Sequence, residues 1–223
     1  MSVHDHCLIF LGALSIIVFR TSFSQNTDTL MNDGTDYTPS IDDNLLNITD
    51  KELLNLYETS GIAKCEIMIQ ELDVDADLDI SLILEIHRTA FSELYDWAGK
   101  WRSVEVQVGR HAPPHPSQVP ALVYQFSDDL NFRLKRVKEK EEVADLLAYL
   151  HHRFVWIHPF NNGNGRTARL LLNAAAMIKG FEPIQLYHRE GEARVEYIHA
   201  LRMADGGDIK TLTALILREL TPL

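Results

Sequence analysis

The sequence predicts an all-α fold, a bundle of about seven or eight helices interrupted by one short β-hairpin. From Thr49 to the C-terminus, most apolar residues recur at helical spacing. Val104, Val106 and Val108 are the exception, because they alternate with polar residues at the period of a β-strand. With 223 residues and 46% hydrophobic content, the chain has the size of one domain with a substantial core.

The composition divides the chain into three parts. We predict a signal-like or misassigned extension over residues 1–30 and a flexible segment over residues 31–47. The domain itself is expected over residues 48–223, where the helical pattern is continuous.

The N-terminal extension supports two interpretations. The apolar run from Leu8 to Phe19 has the length of a signal-peptide core and is too short to span a bilayer. Arg20 follows this run instead of preceding it, and Met31 begins a polar stretch typical of a natural N-terminus. We therefore expect a cytoplasmic protein with a start codon assigned too far upstream, and export is the alternative if the signal-like segment is real.

The helices can be placed in order along the chain. The first is predicted from Thr49 to about Glu71, because Thr49-Asp50-Lys51-Glu52 has the form of a capping box. Gly99 ends the second helix, and Gly180 ends the fifth as the first residue beyond it. Helices after the first are expected over about 80–97, 117–137, 141–157, 166–179, 190–203 and 208–220.

The stretch from His158 to Arg169 carries most of the chemical information. It reads His158-Pro159-Phe160-Asn161-Asn162-Gly163-Asn164-Gly165-Arg166-Thr167-Ala168-Arg169. Pro159 disfavours the α conformation for His158, so the preceding helix should end there. Gly163 and Gly165 allow positive φ, which turns consecutive N–H groups into one concavity beside the start of the next helix. This arrangement predicts a polyphosphate site.

The residue types suggest individual roles in that site. His158 is the candidate general base for a hydroxyl nucleophile, because its ordinary pKa lies near neutrality. Arg166 and Arg169 lie three residues apart at the start of a helix, where their guanidinium groups can hold phosphate oxygens. Phe160 is expected to anchor the loop in the core.

This stretch resembles the signature of Fic proteins. That signature is a His, a Phe two residues later, an acidic residue, Gly-Asn-Gly-Arg, and a second Arg three residues further on. The segments Glu85–Phe91 and Trp97–Arg102 are also similar to the family, so the resemblance covers roughly Ile48 to the C-terminus. Within the family, the chain is similar to the short, single-domain group called mobile mystery protein B.

The resemblance implies a Fic-type helical bundle that transfers AMP from ATP to a hydroxyl side chain of a target protein. His158 would activate the hydroxyl, and the cradle residues would hold the phosphates. The hairpin would be a flap that pairs with the target's backbone by strand addition. The implied residues are Gly163, Asn164, Gly165, Arg166 and Arg169 for the nucleotide, and Val104, Val106 and Val108 for the flap.

One position departs from the family's signature. Asn162 stands where Fic proteins carry the Asp or Glu that ligates Mg²⁺. An amide oxygen lacks the charge of a carboxylate, so we expect weaker Mg²⁺ binding. Two alternative functions therefore stay open: transfer of another nucleotide or phosphate-linked group, and nucleotide binding without turnover in a regulatory protein.

The negative net charge and the lack of an inhibitory motif limit the possible partners. The formal net charge of -11 argues against nonspecific nucleic-acid binding, and no membrane partner is expected. Neither Glu58-Thr59-Ser60-Gly61 nor Glu190-Gly191 fits the inhibitory pattern of the family, so inhibition would come from a separate protein or another mechanism. The expected partners are ATP, an unknown target protein and such an inhibitor.

Overall fold

The computed structural model describes residues 44–188 and 190–223. Over these residues the chain is helical, which confirms the predicted all-α class. The described helices are α1 (Lys51–Gln70), α2 (Ile80–Phe91), α3 (Val119–Leu134), α4 (Lys140–Ile157), α5 (Asn164–Ile178), α6 (Gly191–Asp205) and α7 (Lys210–Glu219), with a short 3₁₀ turn at Pro116–Gln118.

Helix α4 lies at the centre of the bundle, since it contacts α3, α5, α6 and α7. Its inward face is fully buried and supplies Val143, Leu147, Leu150 and Phe154 to the core. Burial of a large apolar side chain stabilises the fold by about 1.5–3 kcal/mol. The C-terminal end of α4, where the motif begins, is therefore attached to the most extensively packed helix.

The N-terminus of α1 differs from the prediction by one residue. Asp50, not Thr49, is the N-cap, and its carboxylate accepts from the N–H groups of Glu52 at 2.8 Å and Leu53 at 2.9 Å. A carboxylate satisfies the orphan amides and also complements the positive end of the helix dipole, so it outcompetes the neighbouring hydroxyl.

Helix α2 ends at Phe91, six residues before the predicted end. The chain continues in tight turns, with hydrogen bonds from Leu94 N to Phe91 O and from Ala98 N to Tyr95 O. These turns bury Leu94 and Tyr95 on a path that a straight helix would not follow. The apolar spacing that predicted a longer helix thus reflects burial in turns.

The predicted hairpin is not seen as a pair of strands. In the flap segment, which we define as residues 103–114, one antiparallel bridge joins Val108 and His111. Side chains occupy carbonyls that a strand pair would use, because Gln107 Nε2 donates to Gly109 O and His111 O, and Arg102 Nη1 donates to Val104 O. The segment is a loop closed by one bridge.

None of the helices in the described part of the chain is long and apolar enough to cross a membrane. The signal-like run from Leu8 to Phe19 lies outside the described residues.

Helices α1 and α2 approach so closely at Gly61 that no side chain fits there. A Cβ at this position would lie 2.0 Å from the carbonyl oxygen of Ala90, which is backbone and cannot move aside. Cys65, one turn further along α1, donates from Sγ to the carbonyl of Ile86 at 3.1 Å. The close crossing of α1 and α2 therefore depends on one glycine.

We predict that Gly61→Ala lowers the free energy of unfolding by about 2 kcal/mol or more, because the helices must separate to admit the methyl group. Urea denaturation measures this change. The exposed neighbour Ser60→Ala is the control, and it should change the stability by less than about 0.5 kcal/mol. Equal effects of the two substitutions would contradict the close crossing.

Candidate active site

His158 ends α4 in the left-handed conformation, with φ 50° and ψ 61°. The predicted end of the helix before Pro159 is confirmed, and the backbone leaves the right-handed helical conformation for the left-handed one. Two hydrogen bonds hold this conformation: His158 N donates to Phe154 O at 3.0 Å, and His158 O accepts from Arg102 Nε at 2.7 Å. A left-handed non-glycine residue costs about 1–3 kcal/mol, so its surroundings must maintain it.

The imidazole of His158 is almost fully buried. Burial lowers the pKa of His158 to about 4; the Val155 carbonyl opposes this shift, whereas the positive charges of Arg102 and His111 add to it. The ring is therefore neutral near pH 7 and has a nitrogen lone pair available for a proton.

Phe160 anchors the loop after His158, as its residue type predicted. Its ring is fully buried and stacks on His87 with 3.6 Å between ring centroids and 4° between ring planes. Trp101 stacks against it at 5.0 Å. The loop between α4 and α5 is thus fixed by an aromatic cluster beneath it.

His87 braces the same loop through both ring nitrogens. Gly99 N donates to Nδ1 at 2.8 Å, and since an amide can only donate, the ring proton is on Nε2. That Nε2–H donates to the carbonyl of Asn162 at 3.1 Å. Burial lowers the pKa of His87 to about 3, so the neutral tautomer persists at neutral pH. Sequence reasoning missed this residue, and its only signal was its position inside the family-like segment Glu85–Phe91.

Asn164 closes the loop with its side chain. Its Oδ1 accepts from Phe160 N at 2.9 Å, and its Nδ2 donates to Phe160 O at 2.9 Å. Both ends of the amide are therefore used inside the loop. Only the backbone N–H of Asn164 remains for the anion cradle that the sequence predicted.

The two motif glycines differ in conformation. Gly163 has φ 74°, and a Cβ there would lie 2.6 Å from the ring of Phe91. The prediction of positive φ holds for Gly163 and is wrong for Gly165. Gly165 lies in the first turn of α5 and takes the right-handed helical conformation.

The N-terminus of α5 presents unoccupied backbone donors. No side chain caps it, and the helix begins its internal bonding with Thr167 N donating to Gly163 O at 2.9 Å. The N–H groups of Asn164, Gly165 and Arg166 therefore have no acceptor within the helix. Such a terminus carries partial positive charge and suits an anion.

Arg166 is directed away from this terminus toward α1. Its Nη1 lies 2.9 Å from Glu58 Oε2, and its guanidinium lies 4.5 Å from the ring centre of Phe91. Glu58 is buried and also accepts from the hydroxyl of Tyr95 at 2.9 Å. Although its surrounding sequence lacks the inhibitory spacing of the family, Glu58 thus contacts an arginine of the motif.

Arg169 lies on the other side of α5, beside the segment between α5 and α6. Its guanidinium lies 4.6 Å from the ring centre of Tyr187. Its Nη1 is buried and has no hydrogen-bond partner within residues 44–188 and 190–223. The structure therefore does not bring Arg166 and Arg169 together, and Arg169 is the one with an available buried donor.

The residues at the loop do not fit a magnesium site. Asn162 Oδ1 already accepts from Gly163 N at 2.6 Å, and its Nδ2 is buried without a partner among the described residues. Glu58, the nearby carboxylate, is bonded to Arg166 and Tyr95. The described residues contain no cluster of three or more His, Cys, Asp or Glu side chains that could hold a metal. One neutral oxygen is a weak donor set for Mg²⁺.

Residues 77–176 match the Fic/DOC family. Among curated proteins, the protein adenylyltransferase Fic of Nematostella vectensis is 31% identical over 184 residues, which cover 81% of this chain and 42% of that relative. This chain thus spans less than half the length of that relative.

Solved structures show the same fold. Fic-1 from C. elegans matches with a TM-score of 0.60 and 31% identity, over 73% of this chain and 47% of that one. BepC from Bartonella tribocorum, solved with bound AMPPNP, matches with a TM-score of 0.63 and 18% identity, over 81% of this chain and 92% of that one. At 18% identity the likeness to BepC concerns the fold alone.

The buried pair of Glu58 and Arg166 yields a prediction about stability. Glu58→Gln should lower the free energy of unfolding by about 3 kcal/mol, because it leaves a largely buried guanidinium without its counter-charge. Adding Arg166→Met should cost at least about 1 kcal/mol less than the sum of the two single changes. Urea denaturation of the four proteins gives these values.

The exposed pair of Glu196 and Arg218 is the matched control, with Arg218 Nη1 2.9 Å from Glu196 Oε1. Glu196→Gln should cost no more than about 1 kcal/mol. Strict additivity at Glu58 and Arg166 would contradict a coupled buried pair.

Proposed function

We propose that this chain, which belongs to the Fic/DOC family, transfers AMP from ATP to a hydroxyl side chain of another protein. One observation carries the proposal: a buried, neutral His158 lies directly before a loop that ends in an uncapped helix N-terminus. Relatives named protein adenylyltransferase Fic support it.

The phosphates of ATP would lie at the N-terminus of α5. The free N–H groups of Asn164, Gly165 and Arg166 are the donors, and Gly163 permits close approach of the backbone. Arg169 would add a charge-assisted hydrogen bond through its unpaired Nη1. Arg166 would contribute mainly through its backbone and its charge, since its Nη1 is bonded to Glu58.

His158 would act as the general base. It takes the proton of the target's hydroxyl while the oxygen attacks the α-phosphorus of ATP. The new bond joins that oxygen to AMP, the bond to the β-phosphate's bridging oxygen breaks, and pyrophosphate leaves. The proton on His158 then returns to solvent or to the leaving group.

The flap segment would dock the target by strand addition. Val104 is 56% exposed, and Val106 and Val108 are half-buried, so the valines can offer a partly apolar edge. Apart from the bridge between Val108 and His111, the described residues make no backbone–backbone hydrogen bond to the segment from Val104 to Val108. Apart from the Val104 carbonyl, which accepts from Arg102, and the Val108 groups in the bridge, the backbone groups of this segment support the role of a docking edge.

Two other functions would use the same site differently. Transfer of another nucleotide would keep His158 essential and change only the preferred base. A regulatory protein without turnover would bind nucleotide through α5 and transfer nothing. Incubation with labelled ATP, GTP, UTP and CTP in the presence of a lysate, beside His158→Ala, distinguishes all three. Inhibition by a separate protein can be sought in the same lysate.

We predict that His158→Ala lowers the transfer rate by about 10²–10⁴-fold and leaves ATP affinity within about threefold, because the phosphate contacts lie on α5. Radiolabel transfer and calorimetry measure the two quantities. With a pKa of about 4 in the free protein, wild-type His158 is neutral above that pH, so kcat/KM should be flat near neutrality and fall below about pH 5. Full activity of His158→Ala would overturn the mechanism.

We predict that Asn162→Asp lowers the Mg²⁺ concentration for half-maximal transfer, because it adds a negative charge where the wild type has a neutral amide. A titration of rate against Mg²⁺ measures this change. Asn161→Asp, on the exposed neighbouring residue, is the control for an added charge nearby. If Asn162→Asp instead loses nucleotide binding, the non-catalytic function gains support, since a carboxylate would repel a metal-free polyanion.

A further inference from the structure

Arg102 is a buried cation whose described hydrogen bonds all go to backbone carbonyls. Only 2% of the residue is exposed. Nε donates to His158 O at 2.7 Å, Nη1 donates to Val104 O at 3.0 Å, and Nη2 donates to Pro114 O and, at 3.5 Å, to Ile157 O. Within residues 44–188 and 190–223, no carboxylate lies at ion-pair distance from it.

These four carbonyls belong to two different parts of the site. Ile157 and His158 are the last residues of α4 and its left-handed end, where carbonyls lack helical partners and the dipole favours a cation. Val104 and Pro114 lie at the two ends of the flap segment. The backbone of Arg102 adds a further tie, since its N–H donates to Pro159 O at 2.9 Å.

We propose that Arg102 is a positioning residue that locks the flap segment and the backbone of His158 into one arrangement. The surface that would receive the target and the group that would act on it are then held by a single side chain. The consequence for catalysis rests on the proposed function, whereas the structural coupling itself does not.

Only arginine can make this set of contacts. Its planar guanidinium presents five N–H donors in fixed directions, so one side chain can reach carbonyls of α4 and of both flap ends. A lysine keeps the charge but has one nitrogen, which cannot lie between four carbonyls in the same way. Arg102→Lys therefore removes the geometry, and Arg102→Met removes geometry and charge.

The charge of Arg102 also acts on His158. Together with His111, which lies on the flap segment and donates from Nε2 to Trp156 O at 2.9 Å, Arg102 depresses the pKa of His158 beyond the effect of burial. Arg102→Met should raise that pKa, because a nearby like charge is removed, and Arg102→Lys should raise it less. Loss of packing alone would not make the pKa of His158 differ in this way between the two variants.

The test compares the full-length wild type with Arg102→Lys and Arg102→Met, and uses Arg136→Lys and Arg136→Met as matched controls. Arg136 is exposed and donates to one carbonyl, that of Phe132, at 2.8 Å. Hydrogen exchange is measured at the amides of Val108 and His111, which bond to each other across the bridge, and at α7 as a remote reference. The imidazole of His158 is titrated by NMR and assigned by its loss in His158→Ala.

We expect both Arg102 variants to exchange at Val108 and His111 at least about tenfold faster than wild type, with α7 and the Arg136 variants unchanged. In the transfer assay, kcat should fall about 100-fold while KM for ATP stays within about twofold, because α5 is not touched. The pKa of His158 should rise more in Arg102→Met than in Arg102→Lys.

Unchanged exchange at Val108 and His111 in the Arg102 variants overturns the proposal. Equal loss in kcat and in ATP affinity overturns it as well, since the effect would then be general. If Arg102→Met does not fold, hydrogen exchange at Val108 and His111 in Arg102→Lys tests the proposal instead. If the wild type transfers no nucleotide, the proposed function fails, and the exchange and titration data still test the coupling.

Discussion

The site depends on holding a short polar loop against the apolar core. Between His158 and Gly163 the chain must turn from α4 into α5 directly above Phe160, which is fully buried. Buried backbone groups that lack partners cost about 1–3 kcal/mol each, so the loop requires dedicated donors and acceptors. Asn164 supplies them from α5 by bonding both backbone groups of Phe160, and His87 supplies one from α2 by bonding the carbonyl of Asn162. The motif Asn and the buried His are thus structural requirements of the same loop.

This arrangement also explains why the two motif arginines have different partners. Residues three apart in an α-helix are about 60° short of a full turn from one another, so the long side chains of Arg166 and Arg169 can diverge. Arg166 reaches α1, where Glu58 and the face of Phe91 receive it, and Arg169 reaches Tyr187. The first pair ties α1 to α5 through a largely buried ion pair, and the second leaves one buried donor of Arg169 without a partner among the described residues. Sequence spacing predicted a shared phosphate clamp, but tertiary partners decide where each guanidinium lies.

Periodicity and one specific motif were sufficient to predict the helical class, the end of α4 before Pro159, the anchoring role of Phe160 and the similarity to the Fic/DOC family. They were insufficient where a side chain from elsewhere in the chain decides the local structure. The valines of the flap segment alternate as in a strand, but the segment forms only one bridge among the described residues. Side chains of Arg102 and Gln107 donate to carbonyls that a strand pair would use. The second helix is a similar case. Its apolar spacing predicted an end at Trp97, but α2 ends at Phe91 and the chain continues in buried turns. The sequence around His87 does not show that this residue supports the loop, and the sequence around Glu58 does not show that it forms an ion pair.

The low pKa of His158 constrains how the proposed transfer can proceed. A base with a pKa of about 4 cannot remove the proton of a free hydroxyl in advance, so the proton must move as the oxygen bonds to phosphorus and becomes acidic. Arg102 and His111 lower the pKa of His158 further and so weaken the base while the nucleotide is absent. Bound ATP would place several negative charges near His158, and opposite charge raises the pKa of a histidine. The same phosphates that the N-terminus of α5 and Arg169 would bind would therefore strengthen the base, so that proton acceptance is favoured only in the complex that can react.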